Sequence, residues 1–401
     1  MKKNQRYVYL LLTATIFIIN TQSCKKNSFD AKLQTEAISV NSSPVPNLPA
    51  TLYDYVSTGI NIPAYLQTLI TNNPGIDNTP AGNAITNEGA TLGRVLFYDK
   101  LLSANNTISC ASCHHQDKAF TDGVVSSVGF EGGLTRRNSM PVVNTRFFKA
   151  KSMFWDMRAA SLETQTLMPI LDHIEMGMPT LAALESKLAL TAYYPDLFKA
   201  AFGTPDITSD KIGKALSQFL RSIVSFNSRY DQGVANNFVD FTDEEKEGRR
   251  ILSANFCTEC HSDLANSRVG LNASYLVVEN SGINTGFGSN NGLEAVYTDK
   301  GIGEITQQAK DMGTFKIPSL RNVELTAPYM HDGRFATLED AIEHYSSGIK
   351  QNPNIGIQLR GLRTGGIHFT DQQKKDIFAF LKTLTDHSLA TDPKYADPFT
   401  K

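Results

Sequence analysis

Two pentapeptides, CASCH at 110–114 and CTECH at 257–261, constrain this 401-residue chain more tightly than any other feature. Each sets two thiols three positions apart, with an imidazole directly after the second. A CxxC pair alone would serve as a redox dithiol or as half of a zinc site. With histidine next in line, both thiols can add to haem vinyl groups while the imidazole reaches the iron as an axial ligand. Zinc would need further paired ligands at finger spacing, and the sequence offers none. Each pentapeptide therefore predicts a covalent c-type haem. One is attached at Cys110 and Cys113 with His114 on the iron, the other at Cys257 and Cys260 with His261 on the iron. His115 follows too closely to reach the same iron and reads as a loop or propionate-side residue.

The motifs sit in a plan that is written twice. GATLGRVLF (89–97) precedes the first, and SDKIGKALSQFLRSIVSF (209–226) closes that half with Ile212, Leu216, Phe219, Leu220 and Ile223 on one helical face. TDEEKEGRRILS (242–253) precedes the second and opens with a Thr-x-x-Glu capping box. TDQQKKDIFAFLKTL (370–384) closes it, with Thr370 and Gln373 as a further box and Ile377, Phe380, Leu381 and Leu384 on one face. Sustained period-two alternation is absent from both halves, so strands should be few. The Gly-, Asn- and Ser-rich stretch 262–313 predicts long loops with short helices. The expected fold class is mainly α, with two domains at 51–230 and 231–398 joined near 227–237. At 41% hydrophobic and 19% charged residues with a net charge of −2, the chain can bury a substantial core and shows no sign of a nucleic-acid partner.

The N-terminus, MKKNQRYVYLLLTATIFIINTQSC, has a basic start, an apolar run too short to span a bilayer, and a cysteine at its end. That is the layout of an export signal over 1–24. Cys24 is the cysteine left over from the two pairs and reads as a lipoprotein acylation site. Ser23 fits the position before it, whereas Thr21 stands where leucine is usual. The alternative is cleavage by an ordinary signal peptidase, which leaves an exposed thiol. The Ser/Asn/Pro-rich stretch 25–50 would then tether a periplasmic body to a membrane.

Several longer stretches resemble the bacterial dihaem cytochrome c peroxidases and their MauG-like relatives. They are LGRVLFYDKLLSANNTISCASCH (92–114), RRNSMPVVNT (136–145), FWDMRAASLETQTLMPILDHIEMGM (154–178), CTECH (257–261) and PSLRNVELTAPYMHDGRFATLEDAI (318–342). The resemblance implies two cytochrome c-like domains face to face, each with one haem c, a calcium ion between the haems, and reduction of hydrogen peroxide. It implies that Trp155, the only tryptophan, lies between the haems as a stepping point for electrons or holes, and that Glu175 is the distal acid-base carboxylate with Gln165 beside it. Asn138, Thr326 and Pro328 match the calcium site, the last two through backbone carbonyls. A single carboxylate suits peroxide, because one oxygen must lose a proton and the other must gain one.

Two positions depart from the standard peroxidases. Sixteen residues beyond His114, where those enzymes place a distal histidine, stands Phe130, which cannot ligate iron. His115 and His173 are the spare histidines nearby. At the second haem, Tyr345 stands where a methionine is standard, as in MauG-like members. Leu338, Ala341, Ile342 and Tyr345 share a helical face, so Tyr345 should point inward and His344 away. Met330 or Met312 is the alternative ligand. A hard tyrosinate favours ferric and higher states.

The expected function is therefore peroxide reduction at an open first haem, with electrons from a small cytochrome c or a cupredoxin. A MauG-like oxidase of a protein substrate is the alternative. A non-enzymatic electron carrier is the rival from another class, and it would need two six-coordinate haems. The resemblance also admits a homodimer.

Overall fold

The computed structural model describes residues 44–56, 62–72, 76–148, 153–255, 257–261, 288–362 and 364–399. The export signal, Cys24 and the tether up to residue 43 lie outside them, as does the first half of the predicted loop, 262–287. Among the described residues there is no β-strand, only isolated bridges such as His115 with Thr121 and Tyr329 with Phe335. No helix among them is long and apolar enough to cross a membrane.

Four helices carry the repeat. In the first half α1 (Asn87–Tyr98) packs on α2 (Ser209–Ser222), and in the second half α3 (Asp243–Ala254) packs on α4 (Asp371–Lys382). Their starts are set locally. The Thr86 and Thr208 hydroxyls accept from Gly89 N–H and Lys211 N–H. Thr242 with Glu245 and Thr370 with Gln373 form the two predicted capping boxes. Both pairs cross at a glycine. A Cβ on Gly93 would lie 2.0 Å from the Ala215 carbonyl oxygen and 2.7 Å from Phe219 Cβ. A Cβ on Gly248 would lie 2.0 Å from the Asp376 oxygen and 2.8 Å from Phe380 Cβ. The same backbone-on-backbone contact is thus made twice, at a Gly-Arg dipeptide that both halves share, Gly93-Arg94 and Gly248-Arg249.

Within the compact unit of residues 43–401, two apolar clusters follow the two halves. The first is built on Leu92, Val95, Leu96, Phe97, Leu216 and Phe219, the second on Ile251, Leu252, Ile377, Phe380, Leu381 and Leu384. The last segment of the chain returns to the first cluster. Tyr55 and Tyr98 donate to the carbonyls of Lys394 and Tyr395, and the Tyr395 hydroxyl donates to Ser222 O. The stretch expected to be a connection near 227–237 contains a helix, Arg229–Ala235, begun by a Ser228–Asp231 capping box. Asp231 also receives both Nη atoms of the buried Arg321 at 2.9 Å. This paired buried charge ties the start of the second half to the PSLRN segment.

Gly93→Ala and Gly248→Ala should each lower the unfolding free energy by about 1–3 kcal/mol in chemical denaturation, because backbone oxygen occupies the methyl position. Gly82→Ala, with nothing within 4 Å of its added Cβ, is the matched control and should stay within about 0.5 kcal/mol of the parent.

Candidate haem sites and the carboxylate beside the first

Each motif histidine is oriented by a backbone carbonyl. His114 Nδ1 lies 2.8 Å from Phe120 O, and His261 Nδ1 lies 2.9 Å from Pro318 O. A carbonyl only accepts, so each Nδ1 carries the proton and each Nε2 keeps its lone pair for a metal. Burial depresses both imidazole pKa values and the carbonyl bonds oppose it in part, so the rings are the neutral form that an iron takes. The carbonyls come from loops held in place nearby. Phe120 follows Ala119 in a turn where both residues have positive φ, closed by the bridge between His115 and Thr121. Pro318 precedes Arg321 and its clasp on Asp231. Ser139 Oγ adds a bond to Cys113 O at 2.7 Å and stands 3.4 Å from His114 Nδ1.

The cysteines suit thioether attachment better than ion binding. Burial pushes the thiols of Cys110 and Cys257 up to about 12 and those of Cys113 and Cys260 up to about 11. All four are neutral thiols at neutral pH, and among the described residues no three His, Cys, Asp or Glu side chains converge as a zinc site would need. None is in a disulfide. Around the second motif the fit to a large apolar group is visible as a cavity of about 220 Å³, lined by Cys257, Cys260, His261 and side chains such as Leu252, Ile342 and Leu381.

The carboxyl of Glu175 faces the first motif closely enough to raise both its thiols electrostatically. It sits in a turn after the helix Met168–Leu171, fixed by a bond from its own N–H to Asp172 Oδ1 at 3.1 Å. The carboxyl is partly buried and has no hydrogen-bond or ion-pair partner among the described residues. Burial, aided by Asp172 and opposed by Arg158, pushes it up to about 7 from an ordinary 4.5. Phe130 lies against the same turn. Its N–H donates to Glu175 O at 3.0 Å, and its ring occupies the space a Cβ on Gly177 would need, 2.2 Å away. His115 and His173 are both exposed. Gln165 closes the helix Leu162–Gln165 and keeps its side-chain amide free of other hydrogen bonds among the described residues, but no contact joins it to Glu175.

Trp155 lines the cavity of the second motif and donates from Nε1 to Asn138 O at 2.9 Å. The residue after Asn138 is Ser139, the partner of Cys113 and His114, so Trp155 links the second site to the first through two residues. Tyr345 lines the cavity as well, from a π-helical turn, His344–Gly348, that follows the helix Leu338–Glu343. The straight helical face expected through Tyr345 therefore gives way to a wider turn just before it, a distortion common at functional sites. His344 is turned from the cavity, and its Nε2 bonds Asn291 O at 2.9 Å. Met330, in a left-handed conformation with φ 76°, lines the same cavity, whereas Met312 does not. Asn291 serves both ligand candidates. Its Nδ2 lies 3.3 Å from Met330 Sδ, and its side chain hydrogen-bonds Tyr345, whose phenol burial pushes up to about 12.

The three calcium candidates are only partly assembled. The Asn138 side chain donates to Val124 O at 2.8 Å, and Gly333 sits between Val125 and the Pro328 ring, so Asn138 and Pro328 border one loop. Thr326 Oγ1 turns back to Val323 O at 3.2 Å. Asn291, Ser139 and the two orienting carbonyls escaped the sequence reading. Asn291 lies in a segment without periodicity, and a backbone carbonyl leaves no residue-type signal.

Comparison with known proteins agrees with this geometry. The model of the di-haem cytochrome c peroxidase family matches residues 87–238. Cytochrome c551 peroxidase of Nitrosomonas europaea is 33% identical over 75% of this chain and 82% of its own. The chain belongs to the di-haem cytochrome c peroxidase family. Methylamine utilization protein MauG of Methylorubrum extorquens is 30% identical over 76% of this chain and 80% of its own. A solved MauG-like protein associated with microbial copper homeostasis superposes with a TM-score of 0.69 at 35% identity, covering 88% of this chain and 100% of that one. Haem c is the cofactor of this di-haem peroxidase, and its mainly helical, twice-repeated build is that of two cytochrome c-like domains.

With a pKa near 7 in place of 4.5, Glu175 binds more protons in the folded than in the unfolded chain between those values. Its contribution to stability is present below the lower value and lost as pH rises through the upper one. In chemical denaturation of the loaded protein, Glu175→Gln should therefore gain stability relative to the parent as pH rises from 4.5 to above 7, with no difference at lower pH.

Proposed function

We propose that this di-haem protein reduces hydrogen peroxide to water at the site of His114, drawing electrons from an external protein donor. The observation that carries the reading is the Glu175 carboxyl, partly buried and unpaired beside the first motif, with a pKa raised to about 7. A bound haem supplies the redox centre and Lewis acid at which the O–O bond breaks. The chain supplies proton handling. Glu175 takes the proton from the oxygen that is to be bound and gives it to the oxygen that leaves. A carboxylate near 7 suits both duties at neutral pH. The free amide of Gln165 is available to orient peroxide. Phe130 in this turn offers no nitrogen, so a ferric haem held at His114 would take no ligand from it. Trp155 conducts between the sites through Asn138 and Ser139.

Cys110, Cys113 and His114 hold the first haem and Cys257, Cys260 and His261 the second, with domains at 51–230 and 231–398. The neutral buried thiols and the carbonyl-oriented histidines support this assignment. Oxygen ligands from Asn138, Thr326 and Pro328 suit a calcium ion, a hard cation, beside Trp155. Export with lipid attachment at Cys24 would put the body in the periplasm on a membrane. A second reading, oxidation of a protein substrate, is favoured by Tyr345, which offers the second iron a hard phenolate ligand that suits storage of an oxidising equivalent.

Stopped-flow absorbance should show the reaction with peroxide accelerating with pH through about 7 as Glu175 deprotonates. Glu175→Gln should slow it by about 10²- to 10⁴-fold and flatten the profile, with both haem spectra intact. Reduced cytochrome c should then be oxidised by the parent; a long-lived oxidised state indifferent to cytochrome c would favour the protein-substrate reading.

EPR of the fully ferric parent should contain a high-spin component that Phe130→His converts to low spin. A purely low-spin parent would overturn the open first haem.

A further inference from the structure

A buried carboxylate that accepts from two phenols lies in the apolar cluster against which Cys110 of the first motif packs. Asp99, which ends α1, is 6% exposed, and its Oδ2 accepts two phenols, Tyr193 at 2.7 Å and Tyr194 at 2.8 Å. Its other oxygen takes only the Leu101 N–H at 2.8 Å. Among the described residues no cation is paired with it. The Lys187 amine, which senses the Asp99 charge, donates to Ser103 O instead. The two rings are packed with centroids 4.6 Å apart. Tyr194 is fully buried, in the apolar cluster against which Cys110 packs. Tyr193 is partly exposed and touches Phe399.

This arrangement differs from that of five other phenols. Tyr55, Tyr98, Tyr329 and Tyr395 donate to backbone carbonyls, which are too weakly basic to take a proton. Tyr65 donates to Asp231, but both oxygens of that carboxylate are held by Arg321. A phenol gives up an electron at an accessible potential only if its proton leaves with it, and in a dry interior the proton needs a base within a hydrogen bond. Asp99 is a base of this kind, and among the described residues no cation is hydrogen-bonded to it.

We propose that Tyr194 and Tyr193 form a proton-coupled relay that carries an oxidising equivalent from the first haem to the protein surface, where it oxidises small phenolic reductants. The proposal rests on the peroxide reading above, because peroxide is the oxidant. One electron leaves Tyr194 for the peroxide-oxidised first site as its phenolic proton passes to Asp99 Oδ2, leaving a neutral tyrosyl radical. Tyr193 then gives Tyr194 an electron. Asp99 returns its proton to the Tyr194 oxygen and takes that of Tyr193, so one carboxylate oxygen serves both steps and no net charge is created in the interior. A phenol in solution then gives the Tyr193 radical one electron and loses its own proton to water, leaving as a phenoxyl radical, while the proton held by Asp99 passes to the Tyr193 oxygen and restores both the hydroxyl and the carboxylate.

The ferric holoprotein, mixed with one equivalent of hydrogen peroxide without cytochrome c and freeze-quenched, should give a tyrosyl EPR signal that narrows when the tyrosines carry ring deuterium. Tyr194→Phe and Asp99→Asn should each cut its yield about tenfold, the factor that goes with one hydrogen bond to a charged group. Tyr193→Phe, at the exposed end and mild for folding, should keep the radical, lose guaiacol oxidation and leave cytochrome c oxidation unchanged. Haem absorbance recorded on the same samples separates the outcomes. Haems that respond to peroxide with no tyrosyl signal, or with a signal equal in parent and Tyr194→Phe, overturn the relay alone. Guaiacol oxidation undiminished in Tyr193→Phe overturns the surface exit. Haems that ignore peroxide overturn both the relay and the peroxidase reading.

Discussion

A carbonyl oxygen facing an imidazole nitrogen is the contact on which both sites depend. Phe120 O and Pro318 O each claim a histidine Nδ1 proton, which fixes the tautomer, the ring plane and the lone pair offered to iron. Neither carbonyl is free to drift. The first belongs to a tight left-handed turn directly after its motif. The second lies far along the chain and is held by the clasp of Arg321 on Asp231, a buried pair that would be costly to break. Helix pairs that meet at Gly93 and Gly248 supply the rigid floor under each motif.

One repeated scaffold thus carries two unlike chemistries, and the difference lies in the loops opposite the histidines. In the first half, a turn brings an unpaired carboxyl to the motif and a phenylalanine ring seals the turn. In the second, a π-helical turn and a left-handed methionine bring an oxygen and a sulfur to one cavity wall, with the Asn291 amide between them. On the proposed reading, proton transfer belongs to the first arrangement and storage of an oxidising equivalent to the second. Trp155, bonded to Asn138 and next to Ser139, gives the two a short connection.

Buried ionisable groups show the same division of labour. Where a charge only holds the fold it is fully paired, as Asp231 is with Arg321 and Glu163 with Arg221. Where a carboxylate can exchange a proton, the pairing is incomplete: Glu175 has no partner, and Asp99 has two phenols and no cation. Leaving such groups unpaired costs stability, and the cost is concentrated around the first motif, where peroxide chemistry would need protons moved.

Much was legible in the chain itself. Two CxxCH motifs determine the number and kind of cofactors, because covalent attachment needs those residue types at that spacing. The capping boxes and apolar faces determine the helices that flank them, because hydrogen bonds at helix ends and a 3.6-residue period are local. The structure packs Phe130 against the turn of Glu175 and puts Tyr345 on a cavity wall. Only the tertiary structure decided that the Glu175 carboxyl is partnerless, that Met330 and Tyr345 share one amide, and that Asp99 collects two phenols from a segment more than ninety residues away. These depend on which polar atoms meet when aperiodic loops pack, and burial and pairing are properties of the packed chain that no local pattern encodes.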